Sequence, residues 1–334
     1  MSYVVMEIKA EKMNRKNNSG VNSMKEVTEE LEVKFGNRAE ADVSAAAYTT
    51  YRTGGNFEFL VKPLNIEEMT FILSYAKAKD VPVTILGRGS NILVSDSGLP
   101  GITIFTGLMN KIYFPELPDT SAGKSVSVRA EAGALWDSFV TGCLRHGLGG
   151  YEKTSGIPGS VGGAVRMNAG AYGCETADFL ESFTVITPEG KLISYQRWEV
   201  EFSYRYSGFP GNYTVVSAEF RLKQADPEKL LAIRSEILAS RRQKQPLDYP
   251  SAGSVFRRPA GDYASRLVDI CGLKGLSRGG AAVSEKHAGF IINKGGATAT
   301  DIYRLIREIQ KTVMEKTGVR LEPEQVLLGN FENC

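Results

Sequence analysis

The chain has 334 residues, 42% hydrophobic and 23% charged, which excludes a single small domain, a disordered or fibrous chain and a membrane bundle, and leaves room for two or three packed units. With 40 Lys and Arg against 38 Asp and Glu, the net charge of +2 is too weak a field to argue for nucleic acid or a membrane surface, so any anionic ligand must be met locally. Cys143, Cys174, Cys271 and Cys334 are widely spaced, with no CxxC pair and only two histidines in the chain; this argues against a zinc site and fits a reducing, cytoplasmic compartment.

From Met1 to about Asn22, lysines and arginines mix with Glu and Asn and no apolar core of a signal peptide is present, so residues 1–25 read as a mobile extension. The first periodic helix spans Asn65 to Lys79, with Asn65 as cap, Glu68 three residues on, and Met69, Ile72, Leu73 and Ala76 on one face. Extended runs, Phe57 to Val61 and Val81 to Leu86, flank it as a βαβ unit. Ser125 to Ala132 alternates as a strand, and Ala134 to His146 reads as a helix closed by Gly147. Ser182 to Ile186 and Lys191 to Ser194 flank Pro188-Glu189-Gly190 as a hairpin. Asp226-Pro227-Glu228 opens a helix lined by Leu230, Ile233 and Ile237, after a domain boundary near Gln224. The last helix, capped by Thr300, carries Ile302, Leu305, Ile306, Ile309 and Val313 and stops at Gly318; a short strand, Val326 to Leu328, follows.

Two glycine loops carry the chemistry. Leu86-Gly87-Arg88-Gly89-Ser90-Asn91 leaves a strand and can bring backbone N–H groups against a phosphate, yet it lacks the third glycine of a Rossmann fingerprint and the Gly-Lys-Ser/Thr of a P-loop; by itself a plain tight turn explains it. The second run, Ser155-Gly156-Ile157-Pro158-Gly159-Ser160-Val161-Gly162-Gly163-Ala164-Val165 with Met167-Asn168-Ala169-Gly170-Ala171-Tyr172-Gly173, is too rich in glycine for an ordinary packed element. Its interleaved apolar residues disfavour a flexible linker and favour close backbone approach to a large ligand.

This second run resembles the flavin-binding signature of the UDP-N-acetylenolpyruvoylglucosamine reductases, and Leu86 to Leu93 resembles the pyrophosphate loop of the wider vanillyl-alcohol-oxidase type of FAD fold. Tyr51-Arg52-Thr53-Gly54-Gly55 matches the start of the same domain, and the likeness runs from about Val43 to Gly329. The resemblance implies an α+β chain: a two-part FAD-binding unit, residues 26–110 and 111–225, and an α+β substrate-binding domain, residues 226–334. It implies noncovalent FAD, held by Arg52, Gly54, Gly87, Gly89, Ser90, Asn91, Ser155, Gly156, Pro158, Gly159, Gly162 and Gly163. It also implies the short form of the family, because Gly272-Leu273-Lys274-Gly275 leads directly into Gly279-Gly280-Ala281 without an inserted tyrosine loop.

Reducing an enolpyruvyl ether needs a hydride, a proton, and stabilisation of charge growing toward the carboxylate. Tyr204-Arg205-Tyr206 offers a guanidinium that can hold a carboxylate by two hydrogen bonds, with a surface arginine stacked on tyrosine as the plain alternative. The resemblance gives Arg205 the enolic intermediate. It makes Ser254, in Gly253-Ser254-Val255-Phe256, the proton donor where a β-turn serine is the default. Glu324, in Leu321-Glu322-Pro323-Glu324, becomes the assisting carboxyl, with Glu322 as an open alternative. Substrate contacts are expected at Tyr204, Lys244, Arg258, His287 and Asn293; the arginine at 258, where some relatives carry asparagine, departs from the pattern. The implied activity is NADPH-dependent reduction of UDP-N-acetylglucosamine enolpyruvate to UDP-N-acetylmuramate, an FAD-dependent step of peptidoglycan precursor synthesis in the cytoplasm, with no metal, nucleic-acid or membrane partner. An FAD oxidase of the same fold and a noncatalytic UDP-sugar or flavin-binding protein are the competing expectations.

Overall fold

A computed structural model describes residues 19–116 and 124–332, with side chains from residue 24. Most of the expected N-terminal extension therefore lies outside the described residues, but its last part does not: Ser19–Phe35 is a helix, α1, whose Val27, Leu31 and Phe35 are buried. The further helices are α2 Ile66–Ala78, α3 Trp136–Arg145, α4 Val161–Met167, α5 Pro227–Lys244, α6 Ala264–Ile270 and α7 Ala299–Thr317. Among the described residues none is long and apolar enough to cross a membrane.

The chain divides into two units. The first comprises residues 1–41, 59–88 and 101–239. It contains a six-stranded antiparallel sheet in which Leu180–Ile186 lies between Leu192–Gln196 and Thr214–Gln224, and the latter also pairs with Ser125–Glu131. Its core is aromatic: Trp136, Phe139, Tyr151 and Phe220 meet with ring centroids 4.7 to 6.2 Å apart, and the Trp136 indole N–H donates to Thr154 Oγ1 at 3.0 Å. A second core packs α1 and α2 on the strands of a four-stranded sheet, with Val27, Leu31, Met69, Ile72, Val83 and Ile104 all buried.

The expected hairpin is present, Ile186 opposite Leu192. Helix α2 starts as its sequence dictates, Asn65 Oδ1 accepting from the Glu68 N–H at 2.9 Å. The strand before α2 and the strand after it are not neighbours, because Leu99–Phe105 lies between them and pairs in parallel with Val83–Leu86. On α5 only Leu230 of the expected apolar face is buried, and Ile233 is 41% exposed.

The second unit gathers residues 42–58, 89–100 and 240–334. Its core sets α6 and α7 against Tyr51, Leu93, Val255, Phe256, Val283 and Ile291. Helix α7 is capped by Thr298, not Thr300: Thr298 Oγ1 accepts from the Asp301 N–H, and the Asp301 carboxylate accepts from the Thr298 N–H, both at 3.0 Å. The N–H of Thr300 instead donates to Asp96. Gly318, at φ +71°, ends the helix as expected. Residues 272–283 turn directly into a hairpin of Ser277–Arg278 with Ala281–Val283.

Candidate active site

In the second unit the first glycine loop is knit to the segment before it. The Gly89 carbonyl accepts from the Thr50 N–H at 3.1 Å. Gly89 sits at φ +65°, where a Cβ would stand 2.1 Å from the Tyr48 carbonyl oxygen; at Gly54, φ +115°, it would stand 2.9 Å from Val94. Glycine is thus required at both positions by the chain's own backbone packing, independently of any ligand. Arg52 is exposed and Ser90 and Asn91 half-buried at this loop.

Asn91 carries the loop toward the proposed proton site. Its Nδ2 donates to the Glu324 carbonyl at 3.1 Å, its own carbonyl accepts from the Val326 N–H at 2.9 Å, and Ile92–Val94 then pairs in parallel with Val326–Leu328. Ser254 joins from the other side. Phe256 bridges Pro323, the Val255 carbonyl accepts from the Glu324 N–H at 2.8 Å, and the Glu322 carbonyl accepts from the Arg257 N–H at 2.9 Å. Ser254 Oγ is half-buried and donates to the Phe256 carbonyl at 3.3 Å. Along this extended stretch Glu322 is exposed and Glu324 half-buried. The backbones of Asn91, Ser254 and Glu324 therefore belong to one knot, although the three are remote in sequence.

A buried polar chain supports the knot. The Tyr51 hydroxyl donates to Gln325 Oε1 at 3.0 Å, and Gln325 Nε2 donates to the carbonyls of Ala252 and Gly253 at 3.1 and 3.4 Å. Burial pushes the Tyr51 phenol well up, so it stays a donor. Asn293 completes the chain with Nδ2 on the Tyr51 carbonyl at 2.9 Å and Oδ1 accepting from Gly295 and Ala297 at 2.9 and 3.2 Å. The side chain expected to reach substrate is thus occupied with backbone. Gln325 is not singled out by the sequence, and Tyr51 enters there only as the first residue of the Tyr51-Arg52-Thr53-Gly54-Gly55 match.

Beside this lies a cleft of about 390 Å³ lined by Tyr263, Arg266, Asp269, Lys274, Lys286 and His287. His287 Nδ1 accepts from the Gly289 N–H at 3.1 Å, and burial holds its pKa down, so the ring is kept neutral. Lys286 donates to the Arg242 carbonyl at 2.6 Å. Lys244, at the end of α5, is exposed, as is Arg258, whose guanidinium lies 4.8 Å from the Tyr263 ring centre.

The first unit holds the second glycine run, and here the sequence expectation needs correction. Residues Val161–Met167 form α4, capped by Ser160, whose Oγ accepts from the Gly163 N–H at 3.3 Å. Gly162 is tolerated inside a helix because a Cβ there would lie 2.8 Å from Ala132 Cβ; the helix approaches the turn after the strand Ser125–Glu131 only with glycine at that point. At Gly87 a Cβ would stand 2.5 Å from Ser160 Oγ, a side-chain hydroxyl that can rotate away. Ahead of α4, the Gly156 N–H donates to Asp137 Oδ1 at 2.6 Å, and Asp137 is held by both terminal nitrogens of Arg234 at 2.6 and 2.8 Å. Among the described residues Ser155 Oγ has no hydrogen-bond partner, and it is buried. Pro158 is exposed, as is Gly163, while Gly156, Gly159 and Gly162 are half-buried. An orphaned hydroxyl beside partly open glycines fits a polar, extended cofactor such as FAD.

Arg205 lies in this unit too, in the two-residue turn of a hairpin that pairs Ser203 with Tyr206. Its φ is +54°, its guanidinium stacks 4.9 Å from the Tyr204 ring centre, and Nη2 donates to the Gly170 carbonyl at 3.1 Å. The tyrosine stack anticipated as the plain alternative exists, and it leaves the guanidinium half-buried rather than afloat.

Comparison with known proteins places this geometry. Residues 57–196 match the family profile described as FAD binding domain, and residues 245–328 match that of the UDP-N-acetylenolpyruvoylglucosamine reductase C-terminal domain. The UDP-N-acetylenolpyruvoylglucosamine reductase of Agathobacter rectalis is 43% identical over 289 residues, covering 85% of this chain and 92% of that one. The one from Listeria welshimeri is 44% identical over 283 residues, 84% and 92% of the two chains. The crystal structure of UDP-N-acetylenolpyruvylglucosamine reductase from Thermus caldophilus superposes with a TM-score of 0.72 at 34% identity, over 87% of this chain and 99% of that chain. The α+β architecture is accordingly that of the vanillyl-alcohol-oxidase type of FAD-binding domain followed by the reductase's own C-terminal domain. The chain belongs to the UDP-N-acetylenolpyruvoylglucosamine reductase family.

Proposed function

We propose that this protein reduces UDP-N-acetylglucosamine enolpyruvate to UDP-N-acetylmuramate in the cytoplasm, with NADPH as electron source, as a step of peptidoglycan precursor synthesis. The observation that carries the reading is the backbone knot of Asn91, Ser254 and Glu324 in the second unit, which draws the segments bearing Ser254 and Glu324 to the glycine loop assigned to the cofactor pyrophosphate. FAD, when bound, supplies the hydride. In this reading residues 26–110 and 111–225 hold FAD, through Arg52, Gly54, Gly87, Gly89, Ser90 and Asn91 and through Ser155, Gly156, Pro158, Gly159, Gly162 and Gly163, and residues 226–334 hold the UDP-sugar.

The chain's own groups have distinct tasks. Arg205 holds the substrate carboxylate, where negative charge grows as the alkene is reduced; its fixed cation is worth most in a site shielded from water. Ser254 delivers the proton to the carbon adjacent to that carboxylate, which is feasible for a weak acid because an enolate-like carbon is a strong base. Glu324, less exposed than Glu322, assists that transfer. The cleft with Lys286 and the neutral His287 suits the uridine diphosphate, the lysine meeting a phosphate as a point charge and the imidazole offering a directional contact to the base, while Lys274 there is paired with Asp269 at 2.7 Å. Lys244, Arg258 and Tyr204 remain contacts of the same reading.

The test is anaerobic. NADPH should bleach the yellow enzyme, and the enolpyruvyl substrate should restore its colour. Ser254→Ala should bleach at the parent rate and recover at least about 100-fold more slowly, the scale of a lost general acid. Failure of the parent enzyme to recover colour on adding this substrate removes the assignment.

A further inference from the structure

Asn168 is 1% exposed and stands at the C-cap of α4 in the left-handed conformation, φ 41° and ψ 54°. Such a position asks for glycine on backbone grounds, and asparagine is the next residue to tolerate it. Its side chain explains the choice. Nδ2 donates to Glu175 Oε2 at 2.7 Å and to the Ser203 carbonyl at 3.0 Å, and Oδ1 accepts from the Ala177 N–H at 3.0 Å. One amide thereby joins three pieces of the first unit: the end of α4, the small hairpin Gly170–Ala171 with Cys174–Glu175, and the hairpin Phe202–Ser203 with Tyr206–Ser207. The last of these carries Arg205 at its turn, and Arg205 Nη2 rests on the carbonyl of Gly170 in the other. Glu175 pairs with Gly170 across that hairpin, so the amide ties together the two strands that fix where the guanidinium starts and where it leans.

Arg166, two residues back on α4, secures the outgoing strand. Its carbonyl accepts from Ser207 Oγ at 2.6 Å and its guanidinium donates to the carbonyls of Phe209 and Pro210 at 3.2 and 2.9 Å. The incoming strand, at Ser203, has the Asn168 amide as its link to α4.

We infer that Asn168 is a positioning residue for the reduction, holding the Arg205 hairpin at its Ser203 carbonyl so that the guanidinium is aimed before substrate arrives. The inference rests on the role proposed for Arg205. It concerns only the half-reaction in which the enolpyruvyl group takes electrons, because a hydride arriving from NADPH places no charge on a carboxylate.

The experiment is a double-mutant cycle on the flavin-loaded enzyme: parent, Asn168→Gly, Arg205→Ala and the combination. Glycine keeps the left-handed C-cap and removes only the amide; Asn168→Asp, which keeps the acceptor for Ala177 but opposes Glu175 and the Ser203 carbonyl with a carboxylate, is the second variant. Reduction by NADPH, flavin content and melting temperature are followed beside reoxidation by UDP-N-acetylglucosamine enolpyruvate. In Asn168→Gly and Asn168→Asp reoxidation should slow by about 10- to 100-fold, the scale of a misaimed group, with bleaching by NADPH within about 2-fold of parent. In the Arg205→Ala background the same glycine should cost less than about 2-fold, because two residues acting through one group are not additive. Equal losses in both backgrounds, or loss of flavin and early melting in both Asn168 variants, overturn the inference and leave the amide purely architectural. Reoxidation of Arg205→Ala at the parent rate instead refutes the role of Arg205 itself.

Discussion

Asn293 offers a sharp separation between a side chain that touches substrate and one that builds the unit beneath it. Its amide makes three bonds to backbone, to the carbonyl of Tyr51 and the N–H groups of Gly295 and Ala297. Tyr51 and Ala297 are buried, whereas Gly295 is exposed and can turn to water. Asn293→Ala therefore strands two buried backbone groups, each costing about 1–3 kcal/mol; with partial relaxation the loss should be about 2–4 kcal/mol. That corresponds to a fall in melting temperature on the order of 5–10 °C. Asn293→Asp keeps the acceptor for both N–H groups and sets a carboxylate against the Tyr51 carbonyl, so it should fall nearly as far despite being isosteric. The assay is thermal or urea unfolding of the flavin-loaded enzyme, with KM for the enolpyruvyl substrate measured below the transition. A variant that melts with the parent and only raises KM would refute the architectural account of this residue.

Two further perturbations test other layers. Glu68 accepts hydrogen bonds from Arg38, at 2.9 Å through Nη2, and from the Leu64 N–H at 2.8 Å, and the arginine's bond lowers its pKa from the usual 4.5. A lowered carboxyl pKa contributes stability that is complete above 4.5 and lost as pH falls through the folded value; Glu68→Gln should flatten the stability profile below pH 4.5 and leave it little changed in shape above, as read by urea midpoints across pH. Gly89→Ala forces a side chain into a left-handed residue and against the Tyr48 carbonyl. It should cost about 2–4 kcal/mol from strain and overpacking together and lower the retained flavin, and a variant purified with parental flavin content and melting would contradict the packing described for that loop.

The parts of the fold legible in the sequence are those decided locally. Helix α2 announces itself through Asn65, Glu68 and the Met69, Ile72, Leu73, Ala76 stripe, and the hairpin at Gly190 through its turn residues. Thr300 was mistaken for Thr298 because both precede an apolar stripe; the reciprocal bonds with Asp301, and Asp96 from a distant loop, decide between them. Helix α1 was obscured by charge, since Val27, Leu31 and Phe35 are a thin stripe in a polar segment. Helix α4 defeated propensity outright. Two glycines in seven residues argue against a helix until Ala132, in the turn after the strand Ser125–Glu131, is known to lie against Gly162.

The candidate site shows the same division. The glycine runs are visible as unusual, and contacts within the chain add a second reason for Gly54, Gly89 and Gly162 that the sequence does not show. Ser254 and Glu324 carry no local signature of partnership, because what unites them is backbone pairing through Val255 and Pro323. Asn168, read only as part of the second glycine run, and Gln325 give no sign of their partners for a related reason, since a buried amide is ordinary in sequence and gains meaning only from the backbone groups it meets.

The threading of the second unit has a consequence for biosynthesis. Asn91 and Glu324 are 233 residues apart, and Ile92–Val94 finds its parallel partner only when Val326–Leu328 has been made. At about 5–20 residues per second, the early strand leaves the ribosome roughly 10–50 s before that partner exists. During that interval a three-residue apolar edge has no mate, and the unit's core lacks α6 and α7. The stretch Val326–Leu328 thus acts as a latch of this unit, and a message cut short before codon 326 should yield a product that chaperones and proteases treat as unfinished.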